Sequence, residues 1–424
     1  MGRKKIQVLV VDDSPVDREL LIEIIQAETN FVVSVEVVGE VAGQAADAYE
    51  ARDKIRSLDP DVVTLDVSMP GMDGIKFLRN LMRLRPTPVV MVSVTTEDGA
   101  AVTLDALEIG AVDFVAKPGA TGRSFDEYRR DVVAKVRMAA YARVTPYKGP
   151  AARSADRPPA EASSPRRGEG LPFPGRADAP PARGPGTPPA EPPPVAAGTA
   201  PMPRTGPRER AAAVEMIAIG ASTGGVGAIE SVLEQLPVDG LPPVVITQHI
   251  PAGFSESFAQ RLDAKLGLKV QHAVDGMPIL AGHVYVAPGG QQFAIDRAAD
   301  GYVCRVTAGP RVNLHRPSVE VLFQSVARHV GAGALGVLLT GMGSDGAQGL
   351  LAMRHAGAYT LVQDEQSSVV WGMPGAAAKL GAANEILPLA EIPRAIAELA
   401  GSVRGSLKRR VARRRPSQRN DPAD

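Results

Sequence analysis

The sequence predicts two α/β domains, each built on a parallel β-sheet, joined by a long proline-rich segment. At about 150 residues per domain, a chain of 424 residues needs more than one hydrophobic core. Short aliphatic runs alternate with helical patterns in both halves of the chain. Of the 37 prolines, 18 lie between Pro146 and Pro207, where a periodic apolar pattern is almost absent. We therefore predict a first domain at 1–143, a flexible, disordered linker at 144–213, a second domain at 214–400 and a basic disordered tail at 401–424.

Composition excludes several functional classes. Hydrophobic residues make up 44% and charged residues 22% of the chain, as in a soluble globular protein. The formal net charge of zero argues against a nucleic-acid partner. The single cysteine, Cys304, cannot form an internal disulfide, and the N-terminus has no apolar signal core. Because no uncharged apolar run is long enough to span a membrane, we expect a cytoplasmic protein that reaches membranes only through a partner.

The first domain is predicted to contain five strands with helices between them. Ser14 and Pro15 mark the start of the first helix, as a cap followed by proline at the first helical position. Aliphatic runs alternating with helical patterns favour a doubly wound parallel sheet. The predicted strands are 6–11, 31–38, 61–65, 88–93 and 112–116.

Polar side chains collect where these strands end, and in an open parallel sheet those ends lie at one edge. Asp12 and Asp13 follow the first strand, Asp66 the third, Ser93 the fourth and Lys117 the fifth. Three converging carboxylates require a cation, and oxygen ligands are those that Mg²⁺ prefers. Asp66, centred between the other two acids, is the predicted nucleophile toward a phosphoryl donor, with Lys117 and Ser93 contacting the transferred group. A single aspartate at a strand end is usually only a helix cap, so the prediction depends on the joint arrangement.

The second domain shows the same alternation of strands and helices. No sequence repeat relates it to the first domain, so the two halves are predicted to be different domains. Its predicted strands are 216–219, 244–248, 283–287, 335–340 and 360–363.

Ser222 is the predicted nucleophile of the second domain. It lies in Gly220-Ala-Ser-Thr-Gly-Gly225, between a buried strand and a helical pattern. A Gly-x-Ser-x-Gly turn in that context exposes the serine hydroxyl and directs helix N-terminal amides at the same point. On this motif alone, a glycine-rich anion-binding turn is an equal alternative.

A general base and an orienting acid for Ser222 should also follow strands. His249 is the histidine that directly follows a hydrophobic strand, and His315 is the alternative. Asp345 follows the strand at 335–340, but spacing does not exclude Asp364, which follows the next strand. The chain order Ser, His, Asp differs from that of the usual α/β-hydrolases, which weakens a generic lipase or esterase interpretation.

The acidic constellation resembles the receiver domain of two-component response regulators over about residues 5–143. The resemblance implies a flavodoxin-like, doubly wound fold and phosphorylation at Asp66. It also implies a switch pair at Ser93 and Phe114. The Mg²⁺ ligands that it implies are Asp12, Asp13 and Asp66.

Five motifs of the second half resemble the chemotaxis protein-glutamate methylesterases over about residues 214–398. The resemblance implies a triad of Ser222, His249 and Asp345, with Thr223 and Met342 close to the oxyanion and no esterase cofactor. It implies demethylation and deamidation of chemoreceptor cytoplasmic helices, with a chemotaxis histidine kinase as phosphoryl donor. The motifs are IGASTGG at 219–225, QHIP at 248–251, HRPSVEVLF at 315–323, TGMGSDGAQGL at 340–350 and QDEQSSVVWGMP at 363–374.

Two alternatives to this function remain at the level of the sequence. One is a phosphorylation-gated receptor-binding protein without turnover, and the other is the same hydrolase in a non-flagellar chemosensory pathway. The family also implies that the unphosphorylated receiver blocks the catalytic site, and the long linker predicts that this autoinhibition is weak here. The basic stretch at 404–419 is predicted to be a solvated tail, with contact to acidic lipid or an acidic partner as the alternative.

Overall fold

The computed structural model describes residues 6–27, 39–45, 48–67, 69, 73–93, 97–117, 124–147, 149 and 213–401. The predicted strand at 31–38, almost all of the linker and all of the tail beyond residue 401 lie outside the described residues. The two domains predicted from the sequence correspond to two separate parallel sheets, which belong to one compact unit of the chain. The predicted fold class is confirmed for both sheets.

The first sheet has five parallel strands in the order β2-β1-β3-β4-β5, as in a doubly wound fold. Its second strand runs over 39–45. The strands are β1 (Ile6–Val11), β2 (Gly39–Ala45), β3 (Val62–Asp66), β4 (Val89–Ser93) and β5 (Asp113–Ala116). The helices are α1 (Pro15–Ala27), α2 (Ala48–Leu58), α3 (Gly74–Leu84), α4 (Glu97–Ile109) and α5 (Phe125–Ala139).

Helix starts in this region follow the local signals of the sequence. Helix α1 begins at Pro15 as predicted, and the Ser14 hydroxyl accepts a hydrogen bond from the Asp17 amide at 3.3 Å. Helix α3 is capped by Asp73, and α5 by a capping box in which Ser124 and Glu127 bond each other's backbone. The apolar face of α5 buries Tyr128, Val132 and Val136 against the sheet.

The second sheet has seven parallel strands in the order β15-β14-β13-β6-β7-β10-β8. Three of its central strands, β13, β6 and β7, are direct neighbours and are buried along their whole length. The strands are β6 (Met216–Ala221), β7 (Val244–Gln248), β8 (Lys269–His272), β10 (His283–Val286), β13 (Ala334–Leu338), β14 (Tyr359–Gln363) and β15 (Glu385–Leu387). The helices are α6 (Gly225–Leu233), α7 (Ala252–Lys265), α8 (Val319–His329), α9 (Ala347–His355), α10 (Met373–Lys379) and α11 at 392–401.

Five strands of this half were not predicted from the sequence. Strands β8 and β15 are short and lie at the two edges of the sheet, where partial exposure leaves no continuous apolar run. The others form a separate antiparallel sheet in the order β11-β12-β9. They are β9 (Pro278–Ile279), β11 (Gln292–Ala298) and β12 (Gly301–Thr307).

In each sheet the parallel strands end at the same edge, and the polar residues that follow them lie there. The candidate sites are at these two edges. Among the helices of the described residues, none combines the length and the apolar character that a membrane span needs.

Candidate functional site

Three adjacent strands of the second sheet bring Ser222, His249 and Asp345 to one edge. Ser222 follows β6 and His249 follows β7, while Asp345 lies in the loop after β13, on the other side of β6. All three residues line a cleft of about 900 Å³. Parallel neighbouring strands therefore gather residues that are up to 123 positions apart in the chain.

The turn after β6 is held tightly from several sides. The Ser222 amide donates to the Thr340 carbonyl at 3.0 Å, and the Gln248 side chain donates to the Ser222 carbonyl at 2.8 Å. Gly224 has a φ of +75°, which side chains rarely adopt. A Cβ at Gly225 would lie 2.1 Å from the side-chain oxygen of Gln248. These glycines are required for the sharp bend that leads from β6 into α6.

His249 and Asp345 form a hydrogen-bonded pair. The Nε2 atom of His249 lies 2.8 Å from Oδ2 of Asp345. Because an ionised carboxylate only accepts, Nε2 carries the proton and Nδ1 of the neutral ring is an acceptor. The buried Nδ1 has no hydrogen-bond partner among the described residues. This is the ring nitrogen available to take a proton from a serine hydroxyl.

Asp345 is a buried carboxylate, with 1% of its surface exposed, and both of its oxygens accept hydrogen bonds. Besides His249, it accepts hydrogen bonds from the Asn313 side chain, the Ser318 hydroxyl and the Val319 amide, at 2.7 to 2.8 Å. Burial alone would raise the pKa of Asp345, but the hydrogen bonds and the nearby His249 lower it to about 2. The side chain is therefore a fixed negative charge under His249.

His315 and Asp364, the alternatives to His249 as base and to Asp345 as acid, have different surroundings in the structure. The His315 ring stacks on His249, with ring centroids 3.7 Å apart and an interplanar angle of 11°. Burial, reinforced by its histidine neighbour, lowers the pKa of His315 to about 4, so this ring stays neutral. Asp364 instead accepts hydrogen bonds from the amide and hydroxyl of Ser367 within its own loop. The structure therefore pairs Asp345, and not Asp364, with His249.

Thr223 and Met342 both line the cleft. Thr223 is buried and follows Ser222 directly, whereas the Met342 side chain is 42% exposed. Within the described part of the chain, neither amide N–H donates a hydrogen bond to a protein acceptor. Both amides are therefore available to a ligand in the cleft.

The first sheet gathers the predicted acidic residues at the ends of its central strands. Ligand oxygens of Asp12, Asp13 and Asp66 all lie within 4.8 Å of one another, so this cluster fits a divalent cation. The Lys117 ammonium lies 2.9 Å from Asp12 and 3.5 Å from Asp66. Ser93 is buried at the end of β4, the strand next to β3. The sequence-predicted set is thus brought together.

Asp66 has an unusual protonation equilibrium. Burial is the main reason that its pKa is raised to about 6; Lys117 and the Val67 amide lower the pKa, while the neighbouring Asp12 and Asp13 raise it. A cation at this cluster would remove that penalty by neutralising the carboxylates.

The first sheet's elements contact the esterase-like cleft directly. The Thr223 hydroxyl donates to the carboxylate of Asp113 at the start of β5. The next residue, Phe114, is buried and packs on Phe254 of α7, with ring centroids 4.4 Å apart and planes tilted by 41°. Asp113 and Phe114 also line the cleft that contains Ser222. Phe114, the predicted switch residue, therefore takes part in the contact between β5 of the first sheet and α7, which follows a strand of the second sheet.

An ionic cluster extends this contact along α4 and α7. Arg261 pairs with Asp105 and Glu108, and Lys265 pairs with Glu108 at 2.9 Å. Lys265 also reaches the buried Glu230 of α6.

Four residues that hold this arrangement were not predicted from the sequence. Asn313 and Ser318 donate hydrogen bonds to Asp345. Asp113 accepts a hydrogen bond from Thr223, and Phe254 packs on Phe114. Ser318 belongs to the motif His315-Arg-Pro-Ser318, which could have indicated it. Asp113 carries no local signal, because only long-range packing brings it to Thr223.

The chain is similar to known proteins over nearly its whole length. Residues 217–396 match the family described as CheB methylesterase, and residues 8–127 match the response regulator receiver domain. A protein-glutamate methylesterase/protein-glutamine glutaminase of Xanthomonas oryzae is 47% identical over 94% of this chain and 98% of its own. A protein of that description from Hahella chejuensis is 48% identical over 92% of this chain and 95% of its own. The catalytic domain of Thermotoga maritima CheB methylesterase matches 44% of this chain and all of its own, with 32% identity and a TM-score of 0.43. Because the two relatives with 47% and 48% identity cover more than nine tenths of it, the chain belongs to the CheB protein-glutamate methylesterase family, with an N-terminal response regulator receiver domain.

Proposed function

We propose that this protein hydrolyses the methyl esters of glutamate side chains on chemoreceptor cytoplasmic helices and deamidates receptor glutamines, under the control of phosphorylation at Asp66. The observation that carries the proposal is the 2.8 Å pair of His249 and Asp345 beside Ser222, with Nδ1 of His249 left as an acceptor. A fully hydrogen-bonded carboxylate, a histidine paired with it and a serine at a glycine turn are the components that acyl transfer needs.

In the first half of the reaction, Nδ1 of His249 takes the Ser222 proton as Oγ bonds to the ester carbonyl carbon. The negative charge that develops on the carbonyl oxygen is stabilised by the unused amides of Thr223 and Met342. Asp345 stabilises the imidazolium ring formed meanwhile. The bond between the carbonyl carbon and the methoxy oxygen then breaks, and His249 donates its proton to that oxygen, so that methanol leaves and Ser222 is acylated.

In the second half, water attacks the acyl-enzyme. His249 takes a proton from the water, the ester bond to Ser222 breaks, and the proton returns to the Ser222 oxygen. The products are the free serine and a glutamic acid side chain, which loses its proton to water and becomes a carboxylate. With a glutamine side chain, the first step breaks a carbon–nitrogen bond and releases ammonia by the same route.

In the receiver domain, Asp12, Asp13 and Asp66 are the residues that would hold Mg²⁺. Bound there, the ion would neutralise charge on a phosphoryl group during its transfer. Asp66 is the proposed nucleophile and Lys117 the cation that contacts the transferred phosphoryl oxygens. We place Ser93 and Phe114 as the pair that responds to phosphorylation, with a chemotaxis histidine kinase as donor.

Phosphorylation would act by releasing the contact between the two sheets. The hydrogen bond from Thr223 to Asp113 occupies the residue next to the nucleophile, and Phe114 anchors the receiver on α7. These contacts favour a docked state that restricts access to the cleft, so activation would be a population shift toward an undocked state. The weak autoinhibition inferred from linker length stays a prediction: an isolated 212–400 fragment should be only slightly more active than the unphosphorylated chain, and a tenfold gain would contradict it.

The test is methanol release from methylated receptor membranes, with and without Mg²⁺ and a small phosphoryl donor. We expect release by the wild type, none by Ser222→Ala, and release without phosphodonor stimulation by Asp66→Ala. Ser231→Ala, a half-buried serine on the helix that follows the same turn, is the matched control and should retain activity.

The outcomes separate the parts of the proposal. Release that persists in Ser222→Ala would contradict the role of the serine. Absence of release from a wild type whose Asp66 is still phosphorylated would contradict the enzyme and favour a binding protein without turnover. We place the protein in the cytoplasm, where receptor helices and the kinase are accessible to it.

A further inference from the structure

The segment Arg311–Arg316 forms a tight turn at the rim of the cleft. Val312 and His315 pair as an isolated antiparallel bridge, with amide-to-carbonyl distances of 3.0 and 2.9 Å in the two directions. Asn313 and Leu314 occupy the two tip positions, with φ of +51° and +70°. This is the left-handed backbone of a two-residue hairpin turn, which normally carries Asn or Gly at both positions.

Leu314 is therefore unfavourable in two independent ways. Its left-handed backbone is strained for a side chain with a full Cβ substituent. Its side chain is also 84% exposed, the highest value among the exposed large apolar residues of the described chain. Leu314 nevertheless lines the cleft that contains Ser222.

The inward side of the turn is occupied by the triad's supports. Asn313 donates to Asp345 at 2.8 Å, and the His315 ring stacks on His249 at 3.7 Å. These two contacts fix the position of the turn relative to the reacting groups. Leu314 is thus held at a fixed distance from the site of ester cleavage.

Arg311 supplies a positive charge beside Leu314. Its guanidinium donates to the Leu314 carbonyl at 3.3 Å and remains 52% exposed. It also lies 3.7 Å from Glu127 of the receiver helix α5. An acidic side chain on a helix is thus already the neighbour of Arg311 in the docked arrangement.

We propose that Leu314 and Arg311 form a recognition pair that selects an amphipathic helix, with Leu314 packing on an apolar residue and Arg311 pairing with an unmodified glutamate near the ester. Residues three or four positions apart share one helix face, so a helix can present the ester, an apolar side chain and a second acid together. This inference rests on the proposed function and names what its substrate must display beside the target glutamate. In the docked state, Glu127 takes the place of the substrate's acid.

The test compares the full-length, phosphodonor-activated enzyme with Leu314→Gly, Leu314→Asn and Arg311→Gln, using methanol release from methylated receptor membranes. For both Leu314 variants we expect KM to rise about tenfold and kcat to stay within about twofold of wild type. The rise in KM corresponds to losing part of the binding free energy that burial of one leucine side chain contributes. Leu314→Gly should at the same time unfold at an equal or higher temperature, because glycine relieves the strain at φ +70°. Arg311→Gln should raise KM severalfold at low salt, and the difference from wild type should shrink at high salt.

Leu280→Asn is the matched control, since Leu280 is an exposed leucine, 52% accessible, in the same domain and outside the cleft. An unchanged KM in the Leu314 variants, with an active wild type, would overturn the inference and leave the proposed function intact. A fall in kcat with unchanged KM would also overturn it, since that would assign the turn only a role in holding the triad. Loss of release from the wild type itself would contradict the proposed function instead.

Discussion

Asp66 and Asp345 are two buried aspartates at the carboxyl ends of parallel strands, yet their pKa values are shifted in opposite directions. Asp66 is 6% exposed and has a pKa raised to about 6. Asp345 is 1% exposed and has a pKa lowered to about 2. Burial raises the pKa of both carboxyl groups, so burial does not explain the difference.

The difference lies in what surrounds each carboxylate. Asp345 accepts hydrogen bonds from His249, Asn313, Ser318 and the Val319 amide. Asp66 accepts one backbone hydrogen bond, from Val67, and has two other carboxylates beside it. Donors to the charged form lower a pKa, and like charges raise it.

The same residue type is therefore suited to two different chemistries. A carboxylate whose oxygens are all occupied is a fixed charge that can only orient and stabilise its neighbour. A carboxylate with unoccupied oxygens in an acidic cluster keeps the capacity to bind a cation and to attack a phosphoryl group. The receiver cluster is therefore suited to gaining a ligand, whereas the hydrogen bonds of Asp345 are already made within the protein.

Asp345→Asn should give the largest effect, since it removes the fixed charge under His249. We expect methanol release to fall by about 10³- to 10⁴-fold, because the amide favours the wrong ring tautomer. Kinetics on methylated receptor membranes would measure this. Asp364→Asn, in the neighbouring loop, is the control, and an equal loss there would break the assignment of the acid.

The same isosteric change should alter folding stability in opposite directions at the two sites. Asp345→Asn should lower the free energy of unfolding by about 2 kcal/mol at pH 7, since the stabilisation from a lowered pKa is complete above about pH 4 and lost as the pH falls toward 2. Asp66→Asn should raise it by up to about 2 kcal/mol at pH 7.5 without Mg²⁺, because a raised pKa destabilises the folded state increasingly between about pH 4 and pH 6 and fully above that range.

Urea unfolding at pH 7.5 and at pH 4 would measure both changes. The gain from Asp66→Asn should disappear at pH 4, where the wild-type carboxyl is protonated in the folded state. Destabilisation by both substitutions at pH 7.5 would show that the two carboxylates are not in contrasting environments.

Metal binding should depend on pH at the receiver site. Since Mg²⁺ needs an ionised Asp66, its affinity should fall about tenfold for each pH unit below about 6 and change little above pH 7. Calorimetric titration of the full chain at pH 5, 6 and 7.5 would test this dependence. An affinity that is constant across this range would contradict the raised pKa of Asp66.

Asn313→Ala should give the smallest effect, because it removes one of several donors to Asp345. We expect a loss of about 1 kcal/mol in unfolding free energy and a reduction in kcat of only a few fold. Ser318→Ala removes a second neutral donor to the same oxygen and should behave similarly. A loss as large as that of Asp345→Asn would mean that one donor, and not the full set, keeps the carboxylate charged.

Much of both sites could be predicted from the sequence because the signals are local. Buried strands are continuous apolar runs, and polar residues that follow them at Asp12, Asp66, Ser222 and His249 are visible without any contact information. The choice between Asp345 and Asp364 could not be made this way. Both follow buried strands, and only the order of strands shows that β13, not β14, lies beside β6.

The sequence by itself determined the two parallel-sheet folds, the candidate nucleophiles Asp66 and Ser222, and the residues grouped with them. Local periodicity, glycine turns and strand ends carry that information. Only the tertiary structure decided which acid pairs with His249, that Asn313 and Ser318 complete its surroundings, and that Asp113 and Phe114 of one sheet meet the cleft of the other. Those contacts join residues that are 27 to 140 positions apart, and their formation depends on packing of whole elements, which no local pattern encodes.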